Sequence, residues 1–342
     1  MYYPLVQRRL RADIRAIEKS IDECGKAIDS REFEQLAMKA VIDRFISKGI
    51  EAHRLPAFLH AISAEAQGLL TWGQWYADGH TILEVSSGLT RALQLSDCGD
   101  LIFADLMPDL PPGKTETLYV RFCGDHGIVF SEGKVRFEGA YVLLHHAAIR
   151  IVLCGKMPPD TPIEDQWLER YDLRIPHALF GHPIREAVDE ALAIDLQDIE
   201  NRRSSLTQPE HHRAADLLAD RLKTNHGAWR EAVFLVANLL AWLRHMPDDI
   251  EDRWPADAPV RLVEQVQGGS PKMVARARSK LWSVGFIPIR RVGVRFEQAF
   301  KIGYHVKAHI RRGHWRNQPY GAGLSLRKLI WILPTLVGGK SS

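Results

Sequence analysis

An alternating pattern near the C-terminus, continued by a run of arginines and histidines, constrains this chain more than any other feature. The segment Tyr304–Arg311 alternates apolar with basic residues, and a repeat of two predicts a strand with one buried face. His305, Lys307, His309 and Arg311 share the opposite face. A row of imidazoles and cations suits a polyanion, and we infer RNA phosphates as the partner.

Charge is divided unevenly along the chain. Residues 271–342 hold fifteen of the 45 lysines and arginines but only one of the 42 acids, Glu297. The net charge of +3 therefore hides an acidic front and a basic end. An asymmetry of this size favours nucleic acid as the partner of the basic end, and a solvated surface that serves solubility is the alternative.

The residues expected to bind RNA lie in or beside two predicted strands of the basic end. The second strand, residues 327–337, is expected to pair with the first across an irregular loop at 317–323, whose glycines permit a positive φ. The expected RNA-binding residues are Lys307, His309, Arg311, Arg312, His314, Trp315, Arg316, Arg327 and Lys328.

Three histidines in this region are candidate catalysts. Metal-free RNA cleavage needs a base, an acid and cations for the developing charge, and His305, His309 and His314 have that chemistry beside arginines. Clusters of imidazole and arginine also bind RNA without cutting it. A histidine can instead satisfy buried backbone groups at the bend of Gly313. The catalytic, RNA-binding and structural interpretations of these histidines stay open.

The rest of the sequence predicts neither a metal site nor a cofactor. Cys24, Cys98, Cys123 and Cys154 stand alone, which argues against a zinc site and fits reduced thiols in a cytosol. The longest mainly apolar run, residues 232–243, is far shorter than the ~20 residues of a membrane span. We therefore predict a cytoplasmic protein with no metal, no cofactor and no membrane partner.

Hydrophobic periodicity predicts an α+β fold in four parts. The parts are a helical N-terminal part (1–96), an antiparallel β meander (97–156), a second helical part (157–258) and a basic α+β region (259–342). The expected helices are 5–27, 32–47, 55–76, 163–171, 184–203, 213–223 and 229–246, and the first expected strands are 101–104, 118–122, 127–130, 135–139, 141–144 and 148–153.

The string His309–Trp315 resembles the second-described family of type V-A anti-CRISPR proteins. The similarity continues through Gly321–Gly323 to Pro334 at matching spacing. Fainter similarities lie upstream in the same order, at Leu239–Leu243 and at Val292–Arg295. The resemblance thus extends over most of the chain, and its specific part is the C-terminal string.

The resemblance implies an unusual mode of inhibition in a bacterial host cell. Members of this family recognise the N-terminal segment of the nascent CRISPR effector nuclease on the ribosome and lower the level of its mRNA. In that scheme the basic end contacts RNA or the ribosome, and an exposed edge of the 99–156 meander takes an extended peptide by strand addition. Which nascent peptide is recognised, and by which residues, is unknown.

Two other functions remain as alternatives. One is a general RNA-binding module without peptide specificity, and the other is a metal-independent, toxin-like ribonuclease. Within the leading interpretation it also stays open whether this chain cuts the message or recruits a nuclease. The oligomeric state is not indicated by the sequence.

Overall fold

The fold is described from a computed structural model. The structure describes residues 3–10, 12–24, 30–53, 59–108, 110, 114–130, 134–158, 160–161, 167–205, 209–246, 248–295 and 309–337.

Helices and strands are both well represented, which confirms the predicted α+β class. The helices are α1 (Tyr3–Leu10), α2 (Ala12–Cys24), α3 (Ser30–Ser47), α4 (Leu59–Ala77), α5 (Ser87–Gln94), α6 (Phe103–Leu106), α7 (Ile184–Ser205), α8 (Pro209–His245), α9 (Val260–Gly268) and α10 (Pro271–Ser283). The strands are β1 (Thr81–Val85), β2 (Ser96–Asp97), β3 (Thr115–Phe122), β4 (Val129–Phe130), β5 (Val135–His145), β6 (Ala148–Lys156), β7 (Trp167–Pro176), β8 (Ile250–Arg253), β9 (Ile289–Val292), β10 (His309–Arg311), β11 (Gly313–Tyr320), β12 (Leu326–Ile332) and β13 (Thr335–Val337).

The long periodic segments form the helices that the sequence predicts. α3, α4 and α7 lie where apolar residues recur at helical spacing. The first predicted helix, 5–27, is two helices, α1 and α2. The predicted helices 213–223 and 229–246 are one continuous helix, α8, because the intervening segment, including Gly227, also adopts helical geometry.

The largest sheet has the strand order β7-β6-β5-β3-β1-β9-β8, with β4 paired to β5. The strands predicted at 118–122, 127–130 and 148–153 are confirmed in β3, β4 and β6, and those predicted at 135–139 and 141–144 are one continuous strand, β5. The strand predicted at 101–104 is wrong, because Phe103 begins the short helix α6. The helix predicted at 163–171 is also wrong, because residues from Trp167 onward form β7 and pair with β6.

The chain divides into two compact units, each assembled from three separate stretches. The first unit, which we call the helical unit, comprises residues 1–82, 116–119 and 252–290. The second, which we call the sheet unit, comprises residues 83–115, 120–251 and 291–342.

The helical unit has a core of aliphatic side chains and indoles. Ile14 and Ile17 of α2, one helical turn apart, are fully buried, as is Trp72 of α4. The indole N–H of Trp72 donates to the carbonyl oxygen of Pro4 (3.1 Å), so this large ring is buried without an unpaired donor. Arg44 of α3 also binds the Glu65 carboxylate of α4 (2.6 Å).

The sheet unit is built on strands that are buried on both faces. β5 pairs with β6 over most of their length, and consecutive residues from Ala140 to Leu144 are all buried. On one side of the sheet α7 and α8 pack together, and Tyr171 of β7 stacks on Trp229 of α8 at 4.2 Å between ring centroids. Burial of the Tyr171 hydroxyl, which donates to Asp195 (2.5 Å), raises the pKa of that tyrosine.

Candidate nucleic-acid interface

The basic end folds into two short antiparallel sheets. β11 pairs with β12 from His314↔Ile332 to Tyr320↔Leu326, and we call this pair the C-terminal hairpin. β10 pairs with β13, with His309 opposite Val337. The predicted pairing of the two C-terminal strands is therefore confirmed for β10 and β13, while residues 304–308 lie outside the described residues.

Sequence breaks set the limits of these strands. The predicted strand 327–337 is divided between β12 and β13 at Pro334, a residue that cannot donate to a ladder. The predicted loop 317–323 is too long at its start, because residues 317–320 continue β11. The turn begins at Gly321 (φ +79°) and includes Gly323 (φ +63°), so both glycines adopt the positive φ that the sequence analysis anticipated.

The two faces of the C-terminal hairpin differ. Because side chains alternate along a strand, Trp315 and its partner Trp331 lie on one face. Arg316, Lys328 and Tyr320 lie on the other face. The first face provides the buried anchor at the base of the hairpin, and the second carries cations and an exposed aromatic ring.

A buried asparagine holds the base of the C-terminal hairpin. Asn238 of α8 accepts the indole N–H of Trp315 through Oδ1 (3.0 Å). Its amide nitrogen donates to the carbonyl oxygens of Leu93 (3.3 Å) and Ser96 (3.1 Å). Asn238 is 2 % exposed, so these bonds are shielded from water and pairing all of its polar groups is necessary. One side chain thus joins α8, the end of α5 and the hairpin.

A second indole completes the anchor. Trp331 donates its N–H to the Ser96 hydroxyl (3.0 Å), and that hydroxyl donates to the carbonyl of Ala92 (2.8 Å). The Trp331 ring meets Trp242 of α8 edge to face, with centroids 4.8 Å apart. Edge-to-face indole pairs stabilise a contact beyond the area that they bury. Two tryptophans facing each other across the hairpin are therefore fixed on one short segment, residues 93–97.

Gly313 allows the base of the C-terminal hairpin to approach the backbone of Leu95 and Ser96 closely. Its N–H donates to the carbonyl of Leu95 (3.0 Å), and it pairs with Ser96 in a parallel bridge. A Cβ at this position would lie 2.4 Å from the Ser96 hydroxyl oxygen and 2.8 Å from Cδ of Pro334. A side chain does not fit here, which gives a physical reason for the glycine in the string His309–Trp315.

Beyond the anchor, five cations of the expected RNA-binding set are exposed. They are Arg311, Arg312, Arg316, Arg327 and Lys328. Within the described part of the chain none of the five forms a salt bridge with a carboxylate, so their charges face solvent. The cations extend from the base of the C-terminal hairpin to its turn, an arrangement that can neutralise several phosphates of one polyanion.

Trp315 and the histidines are placed differently. Trp315 is only 9 % exposed, so its ring packs in the anchor and does not offer a platform for a base. His314 is half-buried opposite Ile332. His305 and Lys307 lie outside the described residues, and for His309 the structure describes the backbone alone. The described geometry therefore provides one candidate imidazole, His314, among the cations.

Another histidine, His245, lies beside the anchor and was missed by sequence reasoning. Its ring centroid is 5.8 Å from that of Trp315. Burial lowers the pKa of His245, and the charges of Arg244 and Lys328 lower it further while Asp105 raises it. A neutral imidazole at this place avoids adding buried charge next to the base of the hairpin.

The turn of the C-terminal hairpin exposes apolar side chains next to its cations. Tyr320 is 46 % exposed, Leu324 61 % and Leu326 51 %. Tyr320 shares the face of Arg316 and Lys328, so an exposed ring and two cations converge on one surface. Single-stranded RNA is recognised by this combination of ring stacking and charge.

Across the described ranges, no group of three or more histidine, cysteine and acidic side chains is arranged to hold a metal ion. In the same ranges, no helix combines the length and apolar character needed to cross a membrane.

Comparison with known proteins decides the family. A sequence model of the anti-CRISPR type V subtype A2 family, described as AcrVA2-like, matches residues 83–339, three quarters of the chain. The chain belongs to this family. The match includes α8, Asn238 and the whole C-terminal hairpin, so the anchor and the cations both lie within the family region. Membership of an anti-CRISPR family implies a CRISPR effector as the target.

A solved structure of the same family name was also found. The chain is similar to the crystal structure of AcrVA2 with a TM-score of 0.40 and 13 % sequence identity, over 95 % of this chain and 93 % of that one. The search of curated proteins gave no match.

Proposed function

We propose that this anti-CRISPR protein recognises the N-terminal segment of a nascent type V-A effector nuclease and lowers the mRNA that encodes it. In this proposal the C-terminal hairpin contacts RNA or the ribosome. The supporting observation is the array of five solvent-facing cations, three on the C-terminal hairpin and two directly before it, with the base of the hairpin fixed to α8. Family membership supplies the target class.

The hairpin is suited to RNA through the face that carries Arg316, Lys328 and Tyr320. Cations supply the attraction that does not depend on sequence, and an exposed ring can stack on an unpaired base. Tyr320, and not the buried Trp315 of the expected RNA-binding set, is the exposed ring that can take this stacking role. Anchoring through Trp315 and Trp331 presents this face in one orientation, which lowers the entropy lost on binding.

The peptide partner is assigned to the edge of the large sheet. The long strands β3, β5 and β6 of the 99–156 meander have neighbours on both sides, and among its described strands only the two-residue β4 pairs on one side alone. Within the described residues, β7 pairs on one side only, with β6. Unpaired backbone groups of an edge strand can take an extended peptide as an added strand, and β7 is therefore the proposed place for the nascent segment.

Capture of ribosome–nascent-chain complexes tests the proposal. Complexes that display the effector N-terminal segment, and complexes with a scrambled segment of equal composition, are bound to the immobilised full-length protein. The test variant changes Arg311, Arg312, Arg316, Arg327 and Lys328 to alanine. The matched control changes five other exposed cations to alanine, namely Lys39, Lys48, Lys114, Lys134 and Lys223.

The expected result is selective capture of the complexes with the effector segment by the wild-type protein and the control, and reduced capture by the hairpin variant. Equal capture of the two kinds of complex would favour the general RNA-binding module. Cleavage of naked RNA by the purified protein, lost in His314→Ala with the fold preserved, would favour the ribonuclease.

A further inference from the structure

The helices α9 and α10 of the helical unit are consecutive and joined by a short turn. α9 ends at Gly268 and α10 begins at Pro271, so a turn of two residues joins them. The two helices pack against each other. A DNA-binding helix–turn–helix likewise joins two packed helices by a short turn that often contains glycine, although its turn usually has three or four residues.

The turn requires a glycine at position 269. A Cβ on Gly269 would lie 2.4 Å from the carbonyl oxygen of Gln265 and 3.1 Å from Cβ of Met273. The first of these atoms belongs to the backbone of α9, so it cannot move aside as a side chain does. Pro271 then occupies the first position of α10, where its fixed φ suits a helix start. Sequence and geometry thus agree on a sharp, rigid turn.

One side of α10 and its C-terminal end are fixed to the rest of the helical unit. Ala277 and Leu281 are buried. The indole N–H of Trp282 donates to the Glu18 carboxylate (2.6 Å), and the Arg8 guanidinium lies 4.3 Å over the same ring. These contacts leave α10 with a defined inner side and orient the outer side toward solvent.

The outer side of α10 carries a row of cations. Lys272, Arg276 and Lys280 follow each other at intervals of four residues and are all exposed. Four residues advance a helix by about 6 Å, so the row is about 12 Å long and stays on one face. α10 contains no acidic residue, and within the described residues none of the three cations forms a salt bridge with a carboxylate. Ser279 lies on the same face.

We propose that α10 is a recognition helix that enters the major groove of double-stranded DNA. The major groove of B-DNA is about 12 Å wide and admits an α-helix, with the second helix of the motif contacting the base edges. Lys272, Arg276 and Lys280 then meet phosphates and bases, and α9 lies across the backbone. The deep, narrow major groove of an RNA duplex excludes a helix, so the partner is DNA.

This site differs from the C-terminal hairpin in element, unit and ligand. The hairpin offers strands, cations and an exposed ring, which suit unpaired RNA. The α9–α10 pair offers a rigid cationic helix, which suits a duplex groove. The DNA-binding proposal therefore does not depend on the function proposed for the hairpin.

Fluorescence anisotropy on the full-length protein tests the inference. The probes are a 30-base-pair duplex DNA of mixed sequence, the same sequence as duplex RNA, and a single-stranded RNA. The test variant is Lys272→Ala/Arg276→Ala/Lys280→Ala, and the matched control is Lys39→Ala/Lys48→Ala/Lys114→Ala, which removes three exposed cations from other elements. Circular dichroism checks that each variant is folded, and the five-cation hairpin variant is measured in parallel.

We expect the wild-type protein to prefer duplex DNA over duplex RNA. The α10 variant should bind duplex DNA about tenfold more weakly or worse, and the slope of log affinity against log salt should fall by about 2–3, since each phosphate contact contributes about 0.9. The affinity of the α10 variant for single-stranded RNA should stay within about twofold of the wild-type affinity. The hairpin variant should lose affinity for single-stranded RNA and keep its affinity for duplex DNA.

Three results would overturn the inference. The first is a wild-type protein that binds duplex DNA no better than duplex RNA. The second is an α10 variant that binds duplex DNA as well as the matched control does. The third is an equal loss of duplex DNA and single-stranded RNA binding in the folded α10 variant, which would mean one general cationic surface.

Discussion

The sheet unit contains two antiparallel hairpins that use their residues in different ways. In β5–β6 the central residues on both faces are buried, and nearly every side chain contributes to packing. In β11–β12 only Gly313 and Trp315, at the base, are buried, while the remaining residues of the hairpin are half-buried or exposed. The first hairpin stabilises the fold. The second separates a small anchor from a long surface that is free to bind a partner.

The largest expected effect lies in the buried hairpin. Ile151→Ala removes a fully buried side chain from β6, where the surrounding sheet cannot collapse into the space. We expect the free energy of unfolding to fall by about 2–5 kcal/mol, measured by urea denaturation. RNA binding by the folded fraction should not change. A loss of RNA affinity in the folded protein would show that the β5–β6 hairpin also contributes to binding, which contradicts the division of roles between the two hairpins.

The next effect separates anchoring from global stability. Asn238→Ala leaves the Trp315 N–H and the carbonyls of Leu93 and Ser96 without their partner, and each buried unpaired group costs about 1–3 kcal/mol. We expect hydrogen exchange of β11 and β12 to accelerate while the β5–β6 amides stay protected. Asn317→Ala, on an exposed part of β11, is the control and should leave exchange unchanged.

A smaller effect is expected at the closest backbone approach of the anchor. Gly313→Ala adds a methyl group 2.4 Å from the Ser96 hydroxyl oxygen, so the strand must shift. We expect the free energy of unfolding to fall by about 1–3 kcal/mol. Hydrogen exchange should accelerate in the C-terminal hairpin alone. A variant as stable as the wild type would show that the base of the hairpin is loosely packed.

The smallest expected effect is a dependence of the stability of the fold on pH, caused by His126. Burial and the nearby charge of Arg136 lower the pKa of His126 to about 4, against the opposing effect of Asp125. The unfolded chain binds a proton near pH 6.5 and the folded chain does not, so stability should fall as the pH drops from about 6.5 toward 4. At pH 5.5 the free energy of unfolding should be about 1.4 kcal/mol lower than at a pH well above 6.5. Chemical denaturation at several pH values measures it, and His126→Gln should flatten the profile.

The buried regions of the fold were predictable from the sequence, while the pairing of β7 and the anchoring of the C-terminal hairpin were not. A continuous apolar run bounded by turns marks β5 and β6, and helical periodicity marks α7. The four residues Leu101–Ala104 fit a strand or a short helix equally well, and contacts made by Phe103 in the folded chain decide the outcome. In β7 the alternation of Tyr171, Leu173 and Ile175 fits a strand, but the sequence analysis predicted a helix at 163–171, and the pairing with β6 decides the outcome in the folded chain.

The candidate site was only partly predictable for the same reason. Exposed cations follow from composition, and Arg316 and Lys328 are exposed in the folded chain. Lys328 lies in a strand as predicted, whereas Arg316 was expected only beside a strand and lies within β11. The burial of Trp315 depends on Asn238, which is 77 residues away along the chain. A lone asparagine in an otherwise apolar stretch of α8 was the signal that could have revealed the anchor, because a buried amide needs partners.

The central claim is that the exposed cations of the anchored hairpin act together with recognition of a nascent effector segment to lower a transcript. The most direct measurement is the level of a reporter mRNA that begins with the effector N-terminal segment, in cells that express the wild-type protein, the five-cation hairpin variant or the matched control. The account predicts a lowered transcript with the wild type and the control, and a restored transcript with the hairpin variant at equal protein abundance. A transcript lowered equally by all three proteins would contradict it.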